Sequence, residues 1–147
     1  MDKEQILVVD DDEGLLHLLK MRLSAEGFAV TSCTTGHEAL VEAKKKMFDL
    51  AITDLRLRGE DGLDVTEELL RVHPQLPVII LTAHGSIPNA VEAMQRGAFG
   101  YLTKPFDDKE LKATIEKALS QQRMSKEIQR LKSLVKELYG LENVVAR

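Results

Sequence analysis

Five residues scattered along the chain are of the types that could do chemistry together: Asp10, Asp11, Asp54, Thr82 and Lys104. Three ionised carboxylates in one place repel one another and call for a cation. A hard divalent ion answers that need, and Mg²⁺ suits it because it accepts carboxylates while keeping waters and binding a phosphate. One acid, Asp54, could then act as a nucleophile towards phosphorus and form an acyl phosphate. Phosphoryl transfer requires charge on three equatorial oxygens to be stabilised in place. The Lys104 ammonium and the Thr82 hydroxyl are groups of the kind that do so. Each residue also has an ordinary role. An Asp after a strand caps the next helix, Asp12 in particular, Thr82 can simply end a strand, and Lys104 can sit on the surface.

Whether these residues share a site depends on the elements that carry them. Residues 6–9 (Ile-Leu-Val-Val) form a run suited to a strand buried on both faces, followed at once by four acids. Leucines at 15, 16, 18, 19 and 23 recur at helical spacing until Gly27. A second strand is expected at 28–33 and a helix from Gly36 to the lysine run at 44–46, where cations favour a helix C-terminus. The pattern repeats: strand 49–53 ending on Asp54, polar loop 56–61, helix 62–72, strand 78–82, helix 87–96, strand 99–103, and a last helix capped by Asp107 or Asp108. Five strands alternating with five helices predict an α/β fold, a doubly wound five-stranded parallel sheet with helices on both faces. In such sheets ligands bind beyond the carboxyl ends of the strands. The five residues all fall at those ends, and their joint register is what separates a site from five ordinary roles.

Composition narrows the classes. Apolar residues make up 44% and charged residues 30%, enough for a packed core and too balanced for wholesale disorder. No apolar run approaches the roughly 20 residues that cross a bilayer, and the acidic start Met-Asp-Lys-Glu-Gln does not resemble a signal peptide. A cytoplasmic protein is expected, without membrane contact. Residues 1–120 carry 14 Lys and Arg against 21 Asp and Glu, so direct nucleic-acid contact is not expected. Residues 121–147 carry 6 against 3. The single cysteine, Cys33, reads as a buried structural thiol. No Gly-rich nucleotide loop occurs. His17, His37, His73 and His84 show no ligand spacing and read as surface residues, with His84 beside the proposed site and so able to tune it.

The chain resembles the receiver domain of bacterial two-component response regulators over about residues 4–120. The resemblance is carried by residues 6–12 (Ile-Leu-Val-Val-Asp-Asp-Asp), Asp54 within Ile-Thr-Asp-Leu-Arg-Leu followed by Gly62, Leu-Thr-Ala at 81–83, and Tyr-Leu-Thr-Lys-Pro-Phe at 101–106. It implies a flavodoxin- or CheY-like sheet of order 2-1-3-4-5. It also implies Asp54 as the phosphorylated aspartate and a sensor histidine kinase as donor. Asp11, Asp54 and the Arg56 main-chain carbonyl would bind Mg²⁺ directly, and Asp10 through water. Lys104 would contact the phosphoryl group and precede a cis Pro105, and Thr82 with Tyr101 would form the switch pair. Such a domain is a regulator, not an enzyme, beyond self-phosphorylation and autodephosphorylation. The rivals are a stand-alone receiver module and an Asp-nucleophile phosphohydrolase, the latter disfavoured by Gly14 after Asp10-x-Asp12.

Beyond residue 120 helical composition continues without Pro or Gly until Gly140. Met124, Ile128, Leu131, Val135 and Leu138 follow 4-3-4-3 spacing, with Ile128 and Val135 at a and Met124, Leu131 and Leu138 at d. Glu127 at g would pair with Lys132 at e′ in a parallel dimer. The alternative is an amphipathic helix packed on its own or another domain. Residues 121–139 are therefore expected to be a linker helix that dimerises, together with the face of the fourth helix. Residues 140–147 resemble the first residues of the ATPase domain in NtrC-like regulators, which activate σ54-dependent transcription. Residues 95–106 fit that class too, and 83–88 resemble its GlrR (QseF) branch. On this resemblance the chain is the regulatory part of a longer activator with ATPase and DNA-binding domains.

Overall fold

A computed structural model of the chain describes residues 2–139. The elements in order are β1 (Gln5–Val9), α1 (Glu13–Ala25), β2 (Ala29–Cys33), α2 (Gly36–Lys45), β3 (Leu50–Thr53), β4 (Arg56–Leu57), β5 (Glu60–Asp61), α3 (Gly62–Val72), β6 (Val78–Thr82), α4 (Ile87–Gln95), β7 (Gly100–Thr103) and α5 (Asp108–Tyr139). Strands β2-β1-β3-β6-β7 form one sheet in that order, and every neighbouring pair is parallel. With the short β4–β5 hairpin set aside, this is the expected order 2-1-3-4-5.

The period-two geometry of a strand explains why the central strands are apolar throughout. Leu7, Val9, Ala51, Val78 and Ile80 point to one face and pack with Ala39 and Ala43 of α2, Leu63 and Leu69 of α3, and Ala93 of α4. Ile6, Val8, Leu50, Ile52, Ile79 and Leu81 point to the other and meet Leu16, Leu19 and Leu23 of α1 and Leu111, Ile115 and Leu119 of α5. The helices begin where the sequence provides caps. Asp12, Thr35, Asp61 and Ser86 accept from the first-turn amides of α1 to α4, and Asp107 accepts from Lys109 N before α5.

Two details differ from expectation. Residues 56–61 form an antiparallel hairpin instead of a polar loop. Leu57 anchors it in the core, Gly59 turns it at φ +68°, and Glu60 accepts from Gly36 N at 2.8 Å. His73 is half-buried, and its Nε2 donates to the Ala43 carbonyl at 2.7 Å, tying α3 to α2. As the uninterrupted helical composition leads one to expect, the last helix runs past residue 120 without a break, 32 residues in all. Gln122 is still buried, Arg123 donates twice to Glu4 at 2.6 and 3.0 Å, and Lys126 pairs with Asp49, which also accepts from Gln5 N. Beyond Lys126 every described residue of the helix is exposed, Ile128, Leu131, Val135 and Leu138 among them. The expectation for residues 140–147 falls outside the described residues.

Candidate functional site

The sheet order reverses at β1 and β3, so the crevice predicted for such folds opens beyond Val9 and Thr53. The last rungs of backbone hydrogen bonding place the next residues there. Asp10 N donates to Cys33 O at 3.1 Å, Asp54 N to Val9 O at 3.1 Å, and Lys104 N to Thr82 O at 2.8 Å. Asp10, Asp54 and Lys104 thus sit one step past the end of a strand, Asp11 two steps past β1, and Thr82 is the last residue of β6. Side chains from positions 10 to 104 meet on one rim.

Asp10 and Asp54 are nearly inaccessible to solvent, and Asp11 beside them is partly exposed. Carboxylate oxygens of the three lie within 4.8 Å of one another. Lys104 Nζ bridges two of them, donating to Asp10 Oδ2 at 2.8 Å and to Asp54 Oδ2 at 3.1 Å. The peptide bond joining Lys104 to Pro105 is cis, as expected. The other oxygens are held by main-chain amides: Asp12 N donates to Asp10 Oδ1 at 2.9 Å and Arg56 N to Asp54 Oδ1 at 3.2 Å. Gly62 makes room for this arrangement. Its amide donates to Leu55 O at 2.7 Å, and a Cβ there would overlap the Asp54 carbonyl oxygen.

The electrostatics follow from counting. Three carboxylates face one ammonium in a partly dehydrated crevice. Burial raises the Asp10 carboxyl above its ordinary range, and the hydrogen bonds from Lys104 and the Asp12 amide only partly oppose it. Burial acts to lower the Lys104 ammonium, but the hydrogen bonds and charges of Asp10 and Asp54 outweigh it and hold Lys104 above its usual value. The Asp10 shift thus comes first from burial, and the Lys104 shift from its two carboxylate partners. The donor set, all hard oxygens with anionic surplus, fits a divalent cation such as Mg²⁺ and would not suit a soft metal.

Asp12 caps α1, its Oδ1 accepting from Leu15 N at 3.1 Å, and stands outside the carboxylate cluster. Thr82 is fully buried, and its hydroxyl oxygen accepts from His84 N at 3.0 Å. The His84 residue is exposed. Tyr101 packs half-buried against the core, its hydroxyl buried and without a hydrogen-bond partner. Cys33 is buried, and burial followed by the charges of Glu38 and Glu42 pushes its thiol up to about 11, the state of an inert thiol. Sequence reasoning missed Asn89, whose side chain holds the turn after Thr82, and Asp49, which joins the base of β1 to α5. Neither carries a sequence signal: both are single polar residues at element ends.

A sheet of this order with three acids, a hydroxyl and a lysine on its carboxyl rim defines a receiver-type phospho-switch fold. Residues 6–116 match the response regulator receiver domain family, and the chain belongs to it. It is 49% identical over 116 residues to the transcriptional regulatory protein GlrR of Escherichia coli (strain K12), covering 79% of this chain and 26% of that protein. It is 41% identical over 120 residues to the DNA-binding transcriptional regulator NtrC of Salmonella typhimurium, covering 82% of this chain and 26% of that one. The solution structure of the beryllofluoride-activated NtrC4 receiver domain dimer superposes with a TM-score of 0.76 at 31% identity, covering 80% of this chain and 98% of that one. The chain spans about a quarter of the length of the curated relatives it matches. No helix among the described residues is long and apolar enough to cross a membrane.

Proposed function

We propose that Asp54 accepts a phosphoryl group from a sensor histidine kinase and that the acquired charge regulates a downstream activator. The observation that carries this is the bridging of Asp10 and Asp54 by Lys104 within a three-carboxylate cluster at the strand ends. A carboxylate oxygen of Asp54 attacks phosphorus, the bond from phosphorus to the donor nitrogen or oxygen breaks, and the donor leaves with that electron pair. Lys104 is then within reach of a phosphoryl oxygen, and the Thr82 hydroxyl supplies a further donor. Asp10, Asp11, Asp54 and the Arg56 carbonyl would hold Mg²⁺. Bound there, the ion neutralises the carboxylate surplus and the charge on the phosphoryl oxygens.

The output is a changed dimer arrangement. Support comes from Ile87, Val91 and Met94, which leave an exposed apolar strip on α4, and from the exposed a and d positions of the projecting α5. A solved relative is described as an activated receiver domain dimer. The relatives GlrR and NtrC are transcriptional regulators nearly four times as long as their match to this chain. Residues 121–139 would accordingly link a receiver at 1–120 to an ATPase of the σ54-activator type and a DNA-binding domain, in the cytoplasm.

Incubation with acetyl phosphate and Mg²⁺, followed by intact mass, tests the reading. A single phosphoryl group per chain, absent in Asp54→Ala and without Mg²⁺, is expected. Continuous phosphate release at enzyme-like rates would instead identify a phosphohydrolase. Light scattering on the same samples reports the dimer, whose population should change only when phosphoryl is bound.

A further inference from the structure

The turn between β6 and α4 contains a series of hydrogen bonds that the phosphoryl site alone does not require. It starts at the buried Thr82 hydroxyl oxygen, which accepts from His84 N at 3.0 Å. The carbonyl of His84 in turn accepts from the Asn89 side-chain Nδ2 at 3.1 Å. Asn89 N then donates at 3.1 Å to the hydroxyl of Ser86, the N-cap of α4. One residue, His84, therefore joins the Thr82 hydroxyl to the first turn of α4 through its own amide and carbonyl. The other flank of the same turn lies on β7. A Cβ on Gly85 would overlap Thr103 Cγ2 and come within 3.3 Å of the Tyr101 hydroxyl, the buried group that lacks a partner.

Helix α4 is held unevenly. At its C-terminal end Arg96 donates to Asp64 at 2.5 Å and to Glu67 at 2.6 Å, both on α3, and to Glu92 at 3.3 Å. Within the helix only Ala93 is buried, while Ile87 at its start is 82% exposed. The far end is fixed, and the near end depends on the turn.

We propose that Asn89 is a positioning residue that couples the Thr82 hydroxyl to the start of α4. The inference rests on the reading of Asp54 as phosphoryl acceptor and Thr82 as a donor to the phosphoryl group. A Thr82 side chain that rotates towards Asp54 takes its oxygen away from the His84 amide. The backbone at His84 is then free to turn, and the His84 carbonyl draws Asn89, and with it the first turn of α4, along. Gly85 permits the same movement to change the space around Tyr101, so both readers respond to one residue.

The test is hydrogen–deuterium exchange of the amides at 87–95, with and without acetyl phosphate and Mg²⁺, in the wild-type chain, Asn89→Asp and Asn89→Ala. Asn89→Asp keeps the size and suits the first turn of a helix, where negative charge is favourable, but cannot donate to the His84 carbonyl. Intact mass on the same samples should show one phosphoryl group per chain in all three. Phosphorylation is expected to alter α4 exchange in the wild type by about fivefold or more, the low end of coupling between sites, and to leave it nearly unaltered in both variants. A merely structural Asn89 would raise exchange equally in both states and preserve the difference, and that result overturns the proposal. Uptake of phosphoryl with a wild-type α4 response in both variants overturns it too. Failure of the wild-type chain to take up phosphoryl would remove the underlying reading as well, which the mass measurement registers separately.

Discussion

The body of the protein and the outer half of α5 use the same residue types to opposite ends. In the body, Leu, Ile and Val of β1, β3 and β6 are buried on both faces of the sheet, and of these three strands only Gln5, the first residue of β1, is not fully buried. In α5 beyond Lys126, Ile128, Leu131, Val135 and Leu138 are all exposed. Apolar area in the body has already been removed from water and stabilises the fold. The same area on the projecting helix is still available to another surface. One region buries its apolar residues within the chain, and the other leaves them exposed.

Perturbing the two regions in parallel sharpens the contrast. Leu50→Ala, at a fully buried position of β3, is expected to cost about 2–5 kcal/mol in urea unfolding, whereas Leu131→Ala should change the same quantity by less than about 0.5 kcal/mol in the monomer. Comparable losses at both sites would show that the tail is packed on the body. Next in size is the response to Mg²⁺, which should be confined to the body. At a hundredfold excess over its Kd it should add about 2.7 kcal/mol to unfolding stability, and Asp11→Asn or Asp54→Asn should remove most of that gain. EDTA should reverse it.

The junction between the regions is a smaller term. Arg123 and Lys126 fasten α5 to Glu4 and Asp49 with partly exposed ion pairs. Replacing both with Ala should cost about 0.2–1 kcal/mol per pair and raise amide exchange at residues 121–130 without affecting phosphoryl uptake. Smallest of all for the fold is Leu131→Lys, which should shift the unfolding midpoint of the monomer by no more than about 0.5 kcal/mol. Light scattering should nonetheless show the dimer weakened, since a charge then occupies a d position.

Much of this was legible in the sequence because the relevant signals are local and strong. Strands buried on both faces leave uninterrupted apolar runs, so β1 and β6 stand out, and the doubly wound topology then brings their ends together. Asp10, Asp54 and Lys104 could be grouped before any contact was known. The hairpin at 56–61 was not legible, because two-residue strands have no periodicity and the burial of Leu57 is a tertiary fact. The tie from His73 to Ala43 and the role of Asn89 depend on one carbonyl each, which no pattern of side chains announces. The continuity of α5 across residue 120 was legible as composition, but its fastening through Asp49 and Glu4 joins positions over 70 residues apart.

One measurement addresses directly whether Asp54 is the phosphoryl acceptor. The chain is treated with acetyl phosphate and Mg²⁺, trapped by borohydride reduction of any acyl phosphate, digested, and sequenced by mass spectrometry. A single Mg²⁺-dependent modification is expected, at Asp54, and it should be lost in Asp54→Asn. Modification centred on Asp10 or Asp11, or none at all with Mg²⁺ bound, would contradict it.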